Sequence, residues 1–115
     1  MFMDIKRGDI VIADFGDGVG SEQCKRRPAI LIQNYIGNKY SPTTIIVPLT
    51  TSIKKIKQAT HAIIAKTVDN GLKADSMALC EQVRAIDKKR ICSKIGVITD
   101  EETMKKIYLA YVANF

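Results

Sequence analysis

Gly20-Ser21-Glu22-Gln23-Cys24-Lys25-Arg26-Arg27-Pro28-Ala29-Ile30-Leu31-Ile32-Gln33-Asn34 joins a polar loop to a short apolar run, and its reading decides the fold. The run Ala29–Gln33 is apolar on both faces, which predicts a buried central strand. Proline at position 28 disfavours helical dihedrals for Arg27, so that arginine enters the strand already extended. A long cation at the mouth of a rigid strand, behind a loop offering hydroxyl, carboxylate and amide, suits the handling of a phosphate.

Upstream, Lys6-Arg7-Gly8-Asp9 reads as a turn, and the alternation of Ile10 and Ile12 with smaller or polar neighbours predicts a first strand over Asp9–Asp14. About a dozen residues then separate it from the central strand, longer than a hairpin needs and of the kind that carries function. Gly16, Gly18 and Gly20 in that connection form no dinucleotide fingerprint, because no helix follows to present its dipole.

Downstream, Gly37-Asn38 reads as a turn and Thr44–Leu49 as a third strand, with Pro48 marking an edge or bulge because it cannot donate to a ladder. Thr60–Lys66 is a fourth strand, Asp69-Asn70-Gly71 a turn, and Ser76–Ile86 a long fifth strand. Asp87–Cys92 follows as a short helical turn and Gly96–Ile98 as a last short strand. Thr99-Asp100-Glu101-Glu102 is a capping-box pattern, with Thr99 as the cap and Glu102 three places on. Met104, Tyr108, Tyr111, Val112 and Phe115 then recur at helical spacing, predicting one C-terminal helix packed by that stripe on the sheet. The expected architecture is mainly β (α+β): a small barrel closed by one helix, a single domain over residues 1–115.

Composition sets wider bounds. The chain has 115 residues, 46% hydrophobic and 26% charged, as a soluble globule does. Eighteen Lys and Arg against twelve Asp and Glu give +6, which suits a polyanionic partner. Three cysteines, Cys24, Cys80 and Cys92, with no close pair argue against a disulfide framework or a zinc cluster, and a reducing cytoplasm is expected. The N-terminal charges are not followed by an apolar core, so no signal peptide is read there. No apolar run approaches the ~20 residues that span a bilayer.

Five ordered pieces carry a resemblance: Lys6-Arg7-Gly8-Asp9; Gly20-Ser21-Glu22-Gln23 with Arg27-Pro28 and Ile32-Gln33-Asn34; Ser41-Pro42-Thr43; Thr50; and Glu81-Gln82-Val83-Arg84 with Ile86-Asp87-Lys88. Together they closely resemble the MazF/PemK toxin endoribonucleases, from about Lys6 to Arg90. The resemblance implies an SH3-like β-barrel homodimer that cleaves single-stranded RNA at specific sequences. It implies no metal and no cofactor, and inhibition by a labile acidic antitoxin. Arg27 falls on the family's catalytic arginine and Thr50 on its catalytic threonine. Ser21, Glu22 and Gln23 match the loop framing the RNA channel, with Lys25 and Arg26 adding charge there, and Gln82 and Arg84 match the strand facing the same groove. Tyr35 stands where an acidic residue is common.

The chemistry can be argued beside the resemblance. RNA supplies its own nucleophile, the 2′-OH, so the enzyme has to move two protons and neutralise a pentacovalent phosphorane. Forked donors from Arg27 and a hydroxyl from Thr50 suit the non-bridging oxygens. The expected products are a 2′,3′-cyclic phosphate and a 5′-OH end. The base stays open: Glu22 is one candidate, whereas a guanidinium with pKa above ~12 is a poor one. The sole histidine, His61, lies away from the matched motifs in sequence and is expected to be structural, and Thr50 taken alone would bond to its own backbone. Two rivals share the fold: a CcdB-like toxin that poisons gyrase, which does not need Arg27 and Thr50 at one groove, and a barrel that binds RNA without cutting it.

Overall fold

The computed structural model describes residues 4–17, 25–53 and 58–115. In chain order its elements are β1 (Asp9–Asp14), β2 (Arg26–Leu31), α1 (Tyr35–Tyr40), β3 (Thr43–Thr50), β4 (His61–Ile64) and β5 (Ser76–Leu79). A 3-10 turn (Cys80–Gln82), β6 (Arg84–Asp87), a second 3-10 turn (Lys88–Arg90), β7 (Ile91–Val97) and α2 (Glu101–Val112) complete it. All pairings are antiparallel, in the order β4-β5-β3-β2-β1-β7, with β6 also paired to β3. The expected small barrel with a C-terminal helix is present as a mostly β, barrel-like fold. Among the described residues the ends of the sheet path, β4 and β7, do not pair with each other.

The central strands are buried on both faces, and their alternation sorts the core into two clusters. Ile10, Ile30, Val47 and Leu49 face one way and meet Ala62 and Ile64 of β4 and Ile107 and Ala110 of α2. Val11, Ala13, Ala29, Leu31 and Ile46 face the other way and meet Ile5, Phe15 and Ile86. Each fully buried isoleucine or leucine contributes about 1.5–3 kcal/mol, so either cluster is ample to hold its side of the sheet.

Pro48 sits where β3 changes neighbours. On one side β3 pairs β6 through Thr43–Ile46 and β5 through Leu49 and Thr50, leaving a gap between. The Ile32 N–H donates to the Ile45 carbonyl at 2.9 Å, so odd-numbered residues of β3 bond toward β2 and even-numbered ones toward β5 and β6. The missing N–H of Pro48 therefore falls in that gap, where no ladder bond is lost.

Several expectations shift. The long fifth strand over Ser76–Ile86 is two strands separated by a 3-10 turn, because Cys80 turns inward beneath α2 and the Cys80 N–H bonds the Thr60 carbonyl at 3.0 Å. Gly37-Asn38 lies within α1, whose cap is Asn34, accepting from the Gly37 N–H at 2.8 Å. The last strand is β7, which begins at Ile91. Finally, Asp100 rather than Thr99 caps α2, accepting from the Thr103 N–H at 2.9 Å. The helix buries Ile107 and Ala110, with Met104 and Tyr111 partly covered, whereas Tyr108, Leu109, Val112 and Phe115 are exposed.

Candidate active site

The β2–β3 register positions the two residues singled out for catalysis. Ala29 pairs with Pro48, Ile30 with Val47 and Leu31 with Ile46. Two places beyond Ala29 and Pro48 stand Arg27 and Thr50, both still in extended strand and, by the alternation of each strand, on the same side of the sheet as that pair. Arg27 is half-buried and its other neighbour across the ladder is Ala13 of β1. The Thr50 Oγ1 accepts from the Ser52 N–H at 3.1 Å, as a strand-end threonine does, which leaves its own hydroxyl hydrogen to donate.

Pro48, on that same side, borders a cleft of about 560 Å³ together with Phe15, Gly16, Asp17, Arg90 and the whole of Glu81-Gln82-Val83-Arg84. The Arg84 guanidinium carbon lies 5.7 Å from the Phe15 ring centroid, and its Nη1 donates to the Phe15 carbonyl at 3.5 Å. Arg90 Nη1 reaches the Asp14 carbonyl at 3.4 Å. Two cations are thus propped at the cleft by the end of β1, where an anionic backbone gains most from them.

The connection after β1 is pinched at its neck. The Phe15 N–H donates to the Lys25 carbonyl at 2.8 Å and the Lys25 N–H to the Gly16 carbonyl at 2.6 Å. Lys25 adopts a left-handed φ of 62° to do so, and Lys25 and Arg26 both point into solvent. The loop candidates Ser21, Glu22 and Gln23, with Cys24, lie outside the described residues, as does the basic run Lys54, Lys55, Lys57.

One pairing was not legible in the sequence. His61, on β4, places Nε2 2.8 Å from Glu81 Oε2, and Thr60 Oγ1 lies 3.5 Å from Glu81 Oε1. A carboxylate only accepts, so the imidazole proton sits on Nε2, and Nδ1 is buried without a partner among the described residues. His61 therefore belongs with the Glu81-Gln82-Val83-Arg84 motif and not apart from it. Of the two carboxylates bordering the cleft, Asp17 and Glu81, the histidine fixes the second. Beside it, burial pushes the Cys80 thiol up to about 12, with the Glu81 charge a smaller contributor.

No group of three or more His, Cys, Asp or Glu able to hold a metal ion occurs among the described residues, and no described helix is long and apolar enough to cross a membrane. The cleft itself offers two forked cations, Arg84 and Arg90, and one carboxylate oriented by His61, whereas Arg27 and Thr50 lie on the same side of the sheet as Pro48 and are not among the residues bordering it.

Comparison with known proteins bears on the family and the fold. Residues 6–111 match the family described as the PemK-like, MazF-like toxin of type II toxin-antitoxin system. Endoribonuclease EndoA of Bacillus subtilis (strain 168) is 47% identical over 106 residues, covering 91% of this chain and 89% of that protein. Among solved structures, MazF from Deinococcus radiodurans superposes with a TM-score of 0.80 at 16% identity over 97% of this chain and 96% of that one. A mycobacterial endoribonuclease in complex with its cognate antitoxin gives 0.74 at 22% identity, covering 94% and 91%. The last two establish likeness of fold.

Proposed function

The chain belongs to the PemK-like, MazF-like toxins of type II toxin–antitoxin systems, and from that membership we infer that it is an endoribonuclease acting on single-stranded RNA, an mRNA interferase. It cuts at specific sequences without a metal or cofactor, leaving 2′,3′-cyclic phosphate and 5′-OH ends. The observation that supports the reading is the strand alternation that sets Arg27 and Thr50 on the side of the sheet where Pro48 borders the Arg84 cleft.

Substrate lies with its scissile phosphate against Arg27. The guanidinium meets the non-bridging oxygens as charge grows on them, a contribution of about 3–4 kcal/mol when one such donor is removed elsewhere. Thr50 donates its hydroxyl hydrogen to the same phosphoryl group. Glu81, oriented by His61, takes the 2′-proton in place of Glu22. Gln82 and Arg84 contact bases and flanking phosphates, with Ser21, Glu22, Gln23, Lys25 and Arg26 closing the groove from the loop side.

The inhibitor is an acidic antitoxin, whose charge suits the +6 chain and the arginines of the cleft. The protein works in the cytoplasm as a homodimer, and the exposed Tyr108 and Leu109 on the outer face of α2 are apolar surface that a second copy can cover. The test is cleavage of a long single-stranded RNA in EDTA with 5′-end mapping: new 5′-OH ends at a recurring sequence support the reading. Intact RNA, or cutting that Arg27→Ala leaves unchanged in a folded protein, overturns it.

A further inference from the structure

Two depressions meet at the 3-10 turn Lys88–Arg90. Arg90 borders the cleft, whereas Lys88 and Lys89 border a second groove of about 640 Å³ beside α1. Tyr35 and Tyr40 flank that groove with rings largely in solvent, 67% and 73% exposed. The Lys39 ammonium lies 6.0 Å from the Tyr35 centroid and 5.3 Å from that of Tyr40. Short as α1 is, it is firmly seated. Buried Asn38 accepts from Thr44 Oγ1 at 2.8 Å and donates to the Gln33 carbonyl at 2.9 Å, and the Lys88 ammonium donates to the Asn38 carbonyl across the groove.

Neither tyrosine packs in a core cluster. Two open aromatic faces around one ammonium, with two lysines opposite, are the combination that holds single-stranded nucleic acid by stacking and charge. Asp4 and Asp87 also border the groove, but three lysines outnumber them, and the Asp87 carboxylate is engaged by the Lys89 N–H at 2.8 Å. From Arg84 in the cleft to Lys88 in the groove is four residues of extended chain, ~13 Å, so one strand can occupy both.

We propose that this groove is a second contact for the RNA substrate, in which nucleotides flanking the cut stack on Tyr35 and Tyr40 with their phosphates against Lys39, Lys88 and Lys89. It rests on the RNA-cleaving reading above and adds a site outside the cleft. Its consequence is that affinity depends on RNA length beyond the cleaved word.

The test uses oligonucleotides built around the mapped cut, with 2′-deoxyribose at the scissile position so that binding is read without cleavage. One is short, and others are extended by four nucleotides on either side. For the unaltered protein, extension on one side tightens binding at least roughly 5- to 150-fold, the range expected for a single stacked base. Tyr35→Ala with Tyr40→Ala removes that gain and leaves the short RNA unaffected, whereas Tyr35→Phe with Tyr40→Phe keeps it. The proposal is overturned if extension tightens nothing, if the alanine pair retains the gain, or if it weakens short and long RNA alike. Loss of binding to an acidic peptide instead of RNA assigns the groove to a protein and also overturns it. Should no RNA be cut, the cleavage reading falls, while the groove is still judged on single-stranded RNA of mixed sequence, where the alanine pair has to weaken binding.

Discussion

Arg27 and Thr50 lie on one side of the sheet, each two places past Ala29 and Pro48, the last pair of the β2–β3 ladder. Their separation along the chain is large, yet two rigid ladders fix their relation: β2 is also held by β1 and the end of β3 also by β5. On the proposed reading, a phosphate held by both would meet donors whose geometry is fixed before substrate arrives, the condition under which such donors lower a barrier most.

Arg27→Ala is therefore expected to lower the cleavage rate at least about 100-fold with the fold unchanged, since the side chain is half-buried at a strand end. Arg27→Lys should recover little, because an ammonium cannot offer two parallel donors to one phosphate. Rates on a mapped oligonucleotide, with circular dichroism for the fold, decide it; near-normal turnover by the lysine variant would show that charge alone suffices.

Thr50 separates a structural from a chemical role. Its Oγ1 accepts from the Ser52 N–H, so Thr50→Val loses both that turn contact and the donated hydrogen, while Thr50→Ser keeps both. Valine is expected to lower kcat about 10- to 100-fold and stability by ~1 kcal/mol, with serine close to the original in each. Were valine to cost stability alone, the hydroxyl would have no part in the reaction.

For His61 the discriminating substitution is glutamine, whose amide nitrogen can replace Nε2 against Glu81. His61→Ala should lower kcat roughly 10-fold or more with little change in KM, together with at most about 1 kcal/mol of stability, since Glu81 is exposed enough for water to take the partner's place. His61→Gln should restore most of kcat. If glutamine restores stability in urea but not kcat, the pair only ties β4 to the 3-10 turn.

How much of this was legible in the sequence depended on how local the cause is. The bounds read for the first strand, Asp9–Asp14, are those of β1, although both of its faces are buried. The break at Cys80 carries no glycine or proline, and its cause, a side chain turned under α2, is tertiary. In α2 the spacing admits two adjacent stripes. The reading through Tyr108 and Val112 missed that the sheet takes Ile107 and Ala110, about one residue around the helix. Arg27 and Thr50 stand out only through ordered motifs, since each alone is an ordinary strand-end residue. The His61–Glu81 pair joins residues twenty apart in sequence that only the β4–β5 pairing brings together.

The last prediction concerns Cys80, which is fully buried, in contrast with exposed Cys92. Its thiol is raised from 9.0 to about 12, chiefly by burial and then by Glu81. The folded state thus holds the proton more tightly than the unfolded chain does. Below about pH 9 both states are protonated and the thiol has no effect on stability against pH. As pH climbs from there toward 12 the unfolded chain ionises first, and stability falls. Urea midpoints of the wild type should accordingly drop between pH 9 and 11, and Cys80→Ala, though less stable at neutral pH from the space it leaves, should show a shallower drop. A thiol reagent at pH 8 should modify Cys92 quickly and Cys80 only on unfolding. Rapid labelling of Cys80 in the native protein would mean that α2 lifts from the 3-10 turn beside Glu81. The carboxylate held by His61 would then lie against a mobile wall, and the assignment of Glu81 as the base would lose its footing.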